Sequence, residues 1–291
     1  MILITSAVET YPRKIIDCIK SRSRVPAIVV NLKRDPRLLR NLNPSLTLVH
    51  FRGTGYNALT RDGRFEIINS LESITNTTRK HYGQMKAISL GIRSPDTDPL
   101  PIEGGSLAVI ESRVAAAFES RGWTSCVIKP STSRGQGVFV LKLERDTFRE
   151  TLMGINLEIP EWFIQETVSF KRLVRVMTIG GKIVEGAVTY DYPRDGNWKC
   201  SVCMNPLALH ERDPSPELLD FIRLITQRLT LTDSRGISYI DVFETENGYV
   251  YNETNTSCNL VHQERITGVP LADMTAEYLL GEHDRHLSRR P

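Results

Sequence analysis

The sequence predicts a mixed α/β and α+β protein built from more than one packed lobe. Three observations carry that reading. Residues 2–52 alternate strand-like and helical patterns, residues 163–202 form short β-branched runs punctuated by Gly180-Gly181, and residues 239–254 fold back on Glu246-Asn247-Gly248. Alternation implies a parallel sheet with helical crossovers, whereas short strands joined by tight turns imply antiparallel sheet.

In chain order, residues 2–7, 26–31 and 46–51 read as strands, with helices at 12–20 and 35–41 between them. After Gly53-Thr54-Gly55 comes a helical region, then a helix at 80–90 that Gly91 and Pro95 close. Residues 95–105 are polar and Pro-rich, which predicts a loop or lobe boundary. A helix at 106–121 follows, then a strand at 123–129, a small-residue loop at 131–137 and a returning strand at 138–141. Further strands are predicted at 163–168, 175–179, 182–189 and 199–202. Ser215 as N-cap with Pro216 behind it opens a helix that runs to Leu229. A last helix spans 270–280, ahead of a charged tail expected to fray.

At 291 residues and 40% hydrophobic content the chain can bury a sizeable core. No apolar run approaches the length of about 18 residues that would cross a membrane. Five scattered cysteines, an odd number, predict reduced thiols in a cytoplasmic protein. Cys200 and Cys203 have the gap of a zinc or redox pair, but no second pair accompanies them, so two ordinary thiols are expected. Net charge is +3 and uneven: up to Arg52 there are ten Lys/Arg against three acids. Such a lobe could attract an acidic peptide, a nucleotide or nucleic acid, or simply present a solvated helix face. The lack of interleaved aromatics argues against single-stranded nucleic acid.

The chemistry concentrates in two places. On the second strand of the 239–254 hairpin, Glu253 and Asn255 leave the same face, and Asp241 lies about opposite them. Three hard oxygen donors without imidazole or thiolate suit Mg²⁺, although a sheet face turned to water would carry the same residues. Lys129 stands beside a loop whose amides can approach phosphate oxygens, though a strand-end lysine can also snorkel to water. Lysine, Gly-rich loop and divalent metal together form a kit for holding a nucleoside triphosphate.

Read in order, Lys129-Pro130, Gly135-Gln136-Gly137-Val138, Phe163-Ile164-Gln165-Glu166, Arg175-Val176-Met177, Gly236-Ile237-Ser238-Tyr239-Ile240-Asp241 and Tyr251-Asn252-Glu253-Thr254-Asn255 resemble the ATP-grasp superfamily. The similarity is greatest to its ribosomal-protein glutamate ligase and glutathione synthetase branch. Asn69, Lys80 and Gly91 to Thr97 resemble the segment that joins the first and central lobes there. The resemblance implies three lobes, at 1–75, 76–170 and 171–291, with ATP between the last two. It implies that Lys80 and Lys129 contact phosphates, that Ser133, Gly135, Gln136 and Gly137 close over them, and that Gln165, Glu166 and Val168 hold the adenine edge. Asp241, Glu253 and Asn255 would bind one or two Mg²⁺, or Mn²⁺ in its place. Arg175 and Lys199 are the candidate catalytic cations.

The implied reaction is ADP-forming ligation of a carboxylate to an amine, or another nucleophile, through an acyl phosphate. Where relatives carry an Arg-Ile-Pro-like and then an Arg-Gly-Asn element, this chain has Asp191-Tyr192-Pro193 and Lys199-Cys200-Ser201. Arg194 and Ser201 are therefore read as substrate contacts in an altered acceptor pocket, and Arg52 is read as a further substrate contact. Two alternatives stand beside an amino-acid or small-peptide ligase: an enzyme crosslinking a ribosomally made peptide, and a non-catalytic ATP-binding regulator. Oligomeric state is left open.

Overall fold

The computed structural model describes the chain except residues 7–9, 53–55, 71, 74, 76–78, 102–106, 132–140, 154–160, 194–199, 201, 203–204, 230–234, 258 and 290–291. The first part runs β1 (Ile2–Ser6), α1 (Thr10–Arg22), β2 (Ala27–Val30), β3 (Leu48–Arg52), α2 (Tyr56–Asp62) and β4 (Glu66–Ile68). Its four strands are all parallel, in the order β2-β1-β3-β4. The expected helix at 35–41 is a 3₁₀ helix, Pro36–Asn41, which buries only Leu39. With one side chain buried, the segment has no apolar stripe to hold a full α-helix against the core.

A second group follows: α3 (Lys80–Ser89), β5 (Thr97–Pro101), α4 (Leu107–Arg121), β6 (Ser125–Pro130), β7 (Leu141–Glu144), α5 (Phe148–Leu152) and β8 (Glu161–Glu166). Its antiparallel sheet has the order β5-β8-β6-β7. The loop expected at 95–105 thus contains a strand, with prolines at 99 and 101. The strand lies at the sheet edge, where a residue without an N–H removes no inner ladder bond.

The third group is β9 (Arg172–Ile179), β10 (Lys182–Ile183), β11 (Thr189–Asp191), β12 (Leu209–His210), α6 (Pro216–Arg228), β13 (Ile237–Thr245), β14 (Gly248–Asn255), α7 (Leu260–Thr267) and α8 (Leu271–Ser288). Its sheet runs β12-β11-β9-β13-β14, with β10 paired to β9. The strand expected at 182–189 breaks in two around a 3₁₀ turn, Glu185–Ala187. No strand forms among the described residues of 199–202. The final helix does not fray at 280. It continues to Ser288 because Glu282, His283 and His286 are buried, with His286 Nδ1 2.5 Å from Glu66 and Arg235 Nη2 2.6 Å from Glu282.

One face of the third sheet packs Val174, Val176, Ile240, Val242 and Tyr251 on Leu218, Ile222 and Ile225 of α6. The opposite face sends Met177, Ile179 and Tyr239 into a core shared with Ile2, Ile4 and Ile15 of the first sheet and α1. Each such side chain contributes about 1.5–3 kcal/mol. That shared core brings the first sheet up beside the polar stretch of the same face. Asn69 clasps the junction: at φ 69°, it donates to Phe51 O at 3.0 Å and accepts from Ile237 N at 2.7 Å. Asn69→Ala would orphan both buried groups in a left-handed conformation. It is expected to lower unfolding free energy by about 3 kcal/mol in urea titration, and a loss below about 1 kcal/mol would contradict the clasp.

Candidate active site

The hairpin β13–β14 closes on Gly248 at φ 95°. From that turn the ladder pairs Thr245 with Gly248 and Val242 with Tyr251, so an unbroken register would set Asp241 opposite Asn252 and turn Glu253 to the other face. The register shifts there instead, and Asp241 pairs with Glu253 and Tyr239 with Asn255. A bulge at Asn252 therefore puts Asp241, Glu253 and Asn255 on one face. The bulged carbonyl is taken by Gln84 Nε2 of α3 at 2.7 Å.

Register extends this row across the sheet: Arg175 of β9 pairs with both Asp241 and Thr189. Arg175 is 7% exposed and Asp241 3%, and they meet in a fork, Nε to Oδ1 and Nη2 to Oδ2, both at 2.6 Å. Arg175, expected to face substrate, also holds a candidate metal ligand. From α3, Lys80 pairs with Glu253, and Asn255 Nδ2 donates to Glu253 Oε1 at 2.8 Å. Burial alone would raise the Glu253 pKa, but Lys80, Asn255 and Lys129 hold the carboxyl down at about 2. Beside Arg175 a pocket is lined by Thr189, Val202, Asn259, His262, Gln263 and Ile266. The Thr189 hydroxyl is buried there without a hydrogen-bond partner.

Lys129, half-buried on β6, donates to Gln165 Oε1 at 2.7 Å. Burial first, and then the charge of Lys80, lowers its amine from 10.5 to about 8. A sign follows. Between those two values the unfolded chain holds a proton that the fold does not, so stability rises with pH across the window. Affinity for an anionic ligand runs the other way, full below about 8 and weakening above it. Nucleotide titrations from pH 6.5 to 9.5 are expected to show that fall, and Lys129→Arg is expected to flatten it; a step that survives in Lys129→Arg would assign it elsewhere.

Two residues that the sequence did not single out complete this corner. His81 Nδ1 lies 2.6 Å from Ser131 Oγ, and Lys80 N donates to Ser131 O at 3.2 Å. Both side chains are buried. The α3 end that carries Lys80 is thereby pinned to the strand that carries Lys129.

No family model and no curated protein matches the sequence. Solved structures do match. D-alanyl-alanine synthetase A from Vibrio cholerae aligns over 99% of this chain and 98% of its own, at 15% identity and a TM-score of 0.70. The RimK domain ATP-grasp protein from Sphaerobacter thermophilus aligns over 95% and 98%, at 17% identity and a TM-score of 0.65. The chain has the ATP-grasp fold. A third match is macrocyclase MdnC from Microcystis aeruginosa, bound with precursor peptide MdnA, over 96% and 99% at 15% identity and a TM-score of 0.66.

Within this ATP-grasp fold the residues proposed from sequence fall into three groups. Lys80, Lys129, Gln165, Arg175, Asp241, Glu253 and Asn255 converge through the contacts just described. Glu166 is exposed on the far side of β8, and Val168 lies in the segment beyond that strand. Gln165 pairs in register with both Thr97 and Val127, which makes its backbone part of the sheet. Arg52 is buried at the carboxyl end of β3, opposite Ser6. Ser133, Gly135, Gln136, Gly137, Arg194, Lys199 and Ser201 lie outside the described residues. Among the described residues no three of His, Cys, Asp and Glu gather to hold a metal. The candidate donor set is two carboxylates and an amide, the hard-oxygen composition that Mg²⁺ accepts when substrate phosphates supply further ligands. No helix of the described residues is long and apolar enough to cross a membrane.

Proposed function

We propose that this protein is an ATP- and Mg²⁺-dependent ligase that activates a carboxylate as an acyl phosphate and joins it to an amine, or another nucleophile, of an amino acid or small peptide. The observation that carries this is the row Arg175–Asp241–Glu253 facing Lys80 and Lys129. It is a site with more cations than carboxylates, which a triphosphate would complete.

Lys80 and Lys129 bind the phosphates and neutralise them. Asp241, Glu253 and Asn255 would hold Mg²⁺, which supplies charge neutralisation and Lewis acidity when bound. Arg175 steadies the phosphoryl group in transfer, a role suited to its planar fork. In that transfer the γ-phosphorus bond to ADP breaks and a bond to the carboxylate oxygen forms. The nucleophile then attacks the acyl carbon, phosphate leaves, and an attacking amine gives up a proton. No side chain becomes covalently linked; positioning and charge carry the rate. Incubation with ATP, Mg²⁺ and pools of amino acids is expected to release ADP and phosphate. AMP and pyrophosphate would contradict the acyl-phosphate route.

The match to a macrocyclase bound with its precursor favours a second reading, a crosslinking ligase acting on a ribosomally made peptide. The exposed Lys33, Arg34, Arg37 and Arg40 of the basic first lobe suit an acidic precursor. Salt-sensitive binding of an acidic peptide, lost on Arg37→Glu/Arg40→Glu, would favour it over the small-molecule reading.

A further inference from the structure

Behind the site, hydrogen bonds that are buried along the middle of their course link the phosphate lysine to the bulge that turns Glu253 toward Asp241. Lys129 Nζ donates to Gln165 Oε1 at 2.7 Å. With its oxygen so engaged, Gln165 presents Nε2 to Thr97 Oγ1 at 3.3 Å. The Thr97 hydroxyl shares its one proton between Gln84 Oε1 at 3.1 Å and Pro95 O at 2.9 Å. Gln84 therefore turns Nε2 to the Asn252 carbonyl at 2.7 Å. The chain crosses β6, β8, β5, α3 and β14. Gln84, Thr97 and Gln165 are 1%, 4% and 2% exposed.

Each amide uses both of its ends, so reversing one would set like against like at its neighbour. The lysine, which can only donate, fixes the direction from one end, and the carbonyl, which can only accept, fixes it from the other. A buried polar chain with one satisfied arrangement specifies geometry in a way an apolar contact of equal size does not.

We infer that Gln84 and Thr97 are positioning residues whose relay fixes Lys129 and the Asn252 bulge, and with the bulge the outward side of Glu253, relative to one another across two sheets. Neither side chain needs to touch nucleotide or metal. Lys129 keeps two further protons for phosphate while Gln165 occupies one. The inference rests on the ATP-binding reading above.

Binding of a fluorescent ATP analogue with Mg²⁺ tests it without knowledge of the acceptor. Thr97→Val keeps shape and removes the hydroxyl, and is expected to weaken binding about tenfold, equivalent to about 1.4 kcal/mol, as is Gln84→Leu. Thr97→Ser restores the hydroxyl and is expected to bind within about threefold of the parent. The double variant is expected to bind no more weakly than the weaker single, because a relay cut once is already cut. Parent-like binding by Thr97→Val and Gln84→Leu, or no recovery in Thr97→Ser, would overturn the inference while leaving ATP binding intact. Should Gln84→Leu fail to fold, the Thr97 Val/Ser comparison decides alone. If the parent protein itself binds no Mg²⁺–ATP, the ATP-binding reading falls, and this inference with it.

Discussion

Replacing Arg175 by Met is expected to lower unfolding free energy by about 3–5 kcal/mol and to abolish turnover. The size follows from where the pair sits. Both partners are almost wholly buried, and the guanidinium engages both carboxylate oxygens of Asp241. Removing one partner leaves a charge in the interior without its counter-ion. Asp241→Leu should destabilise by a comparable amount, for the mirror-image reason. The double variant Arg175→Met/Asp241→Leu carries no buried charge at this position and is expected to recover most of the stability. It should nonetheless stay inactive, since a proposed metal ligand and the proposed phosphoryl-binding cation are both gone. Urea midpoints for the four proteins of this cycle, read beside phosphate release, separate the two roles. Single-variant losses below about 1 kcal/mol would show that the fork is not holding a desolvated charge.

Lys80→Met is expected to weaken Mg²⁺–ATP binding about a hundredfold, the scale of one charge-assisted contact of about 3 kcal/mol. It should also change how the fold responds to acid. The Glu253 carboxyl, held at about 2 chiefly against the pull of its own burial, ionises below its ordinary value of 4.5. The stability it contributes is present above that ordinary value and is lost as pH falls toward 2. Without Lys80 the folded-state pKa rises, so that contribution shrinks and acid unfolding begins at higher pH. An unchanged acid transition in Lys80→Met would mean that other groups hold Glu253.

Much of the architecture could be read from residues, and the exceptions have physical causes. The hairpin was legible because Glu246-Asn247-Gly248 supplies both turn chemistry and a residue tolerant of positive φ. The convergence of Asp241 with Glu253 was legible as well, yet its cause was not. Turn-based pairing alone would have separated them, and the bulge that reunites them depends on Gln84, 168 residues away in sequence. Local pattern cannot contain such a partner. The edge strand β5 was hidden by its prolines, which signal a loop unless the strand's position in the sheet is known. The true end of α8 was hidden because Glu282 and His286 read as solvent-facing until Arg235 and Glu66 are seen beside them. Lys129 and Lys80 could be picked out singly, but their link through His81 and Ser131 joins separate elements that no periodicity connects.

Glu253, with Asp241 and Asn255, is proposed to couple metal to triphosphate. Titration of a non-hydrolysable ATP analogue with and without Mg²⁺, into the parent protein and into Glu253→Gln, addresses it most directly. The parent is expected to bind the analogue far more tightly with Mg²⁺ than without, and the variant to lose that difference. An equal Mg²⁺ dependence in both proteins would contradict it.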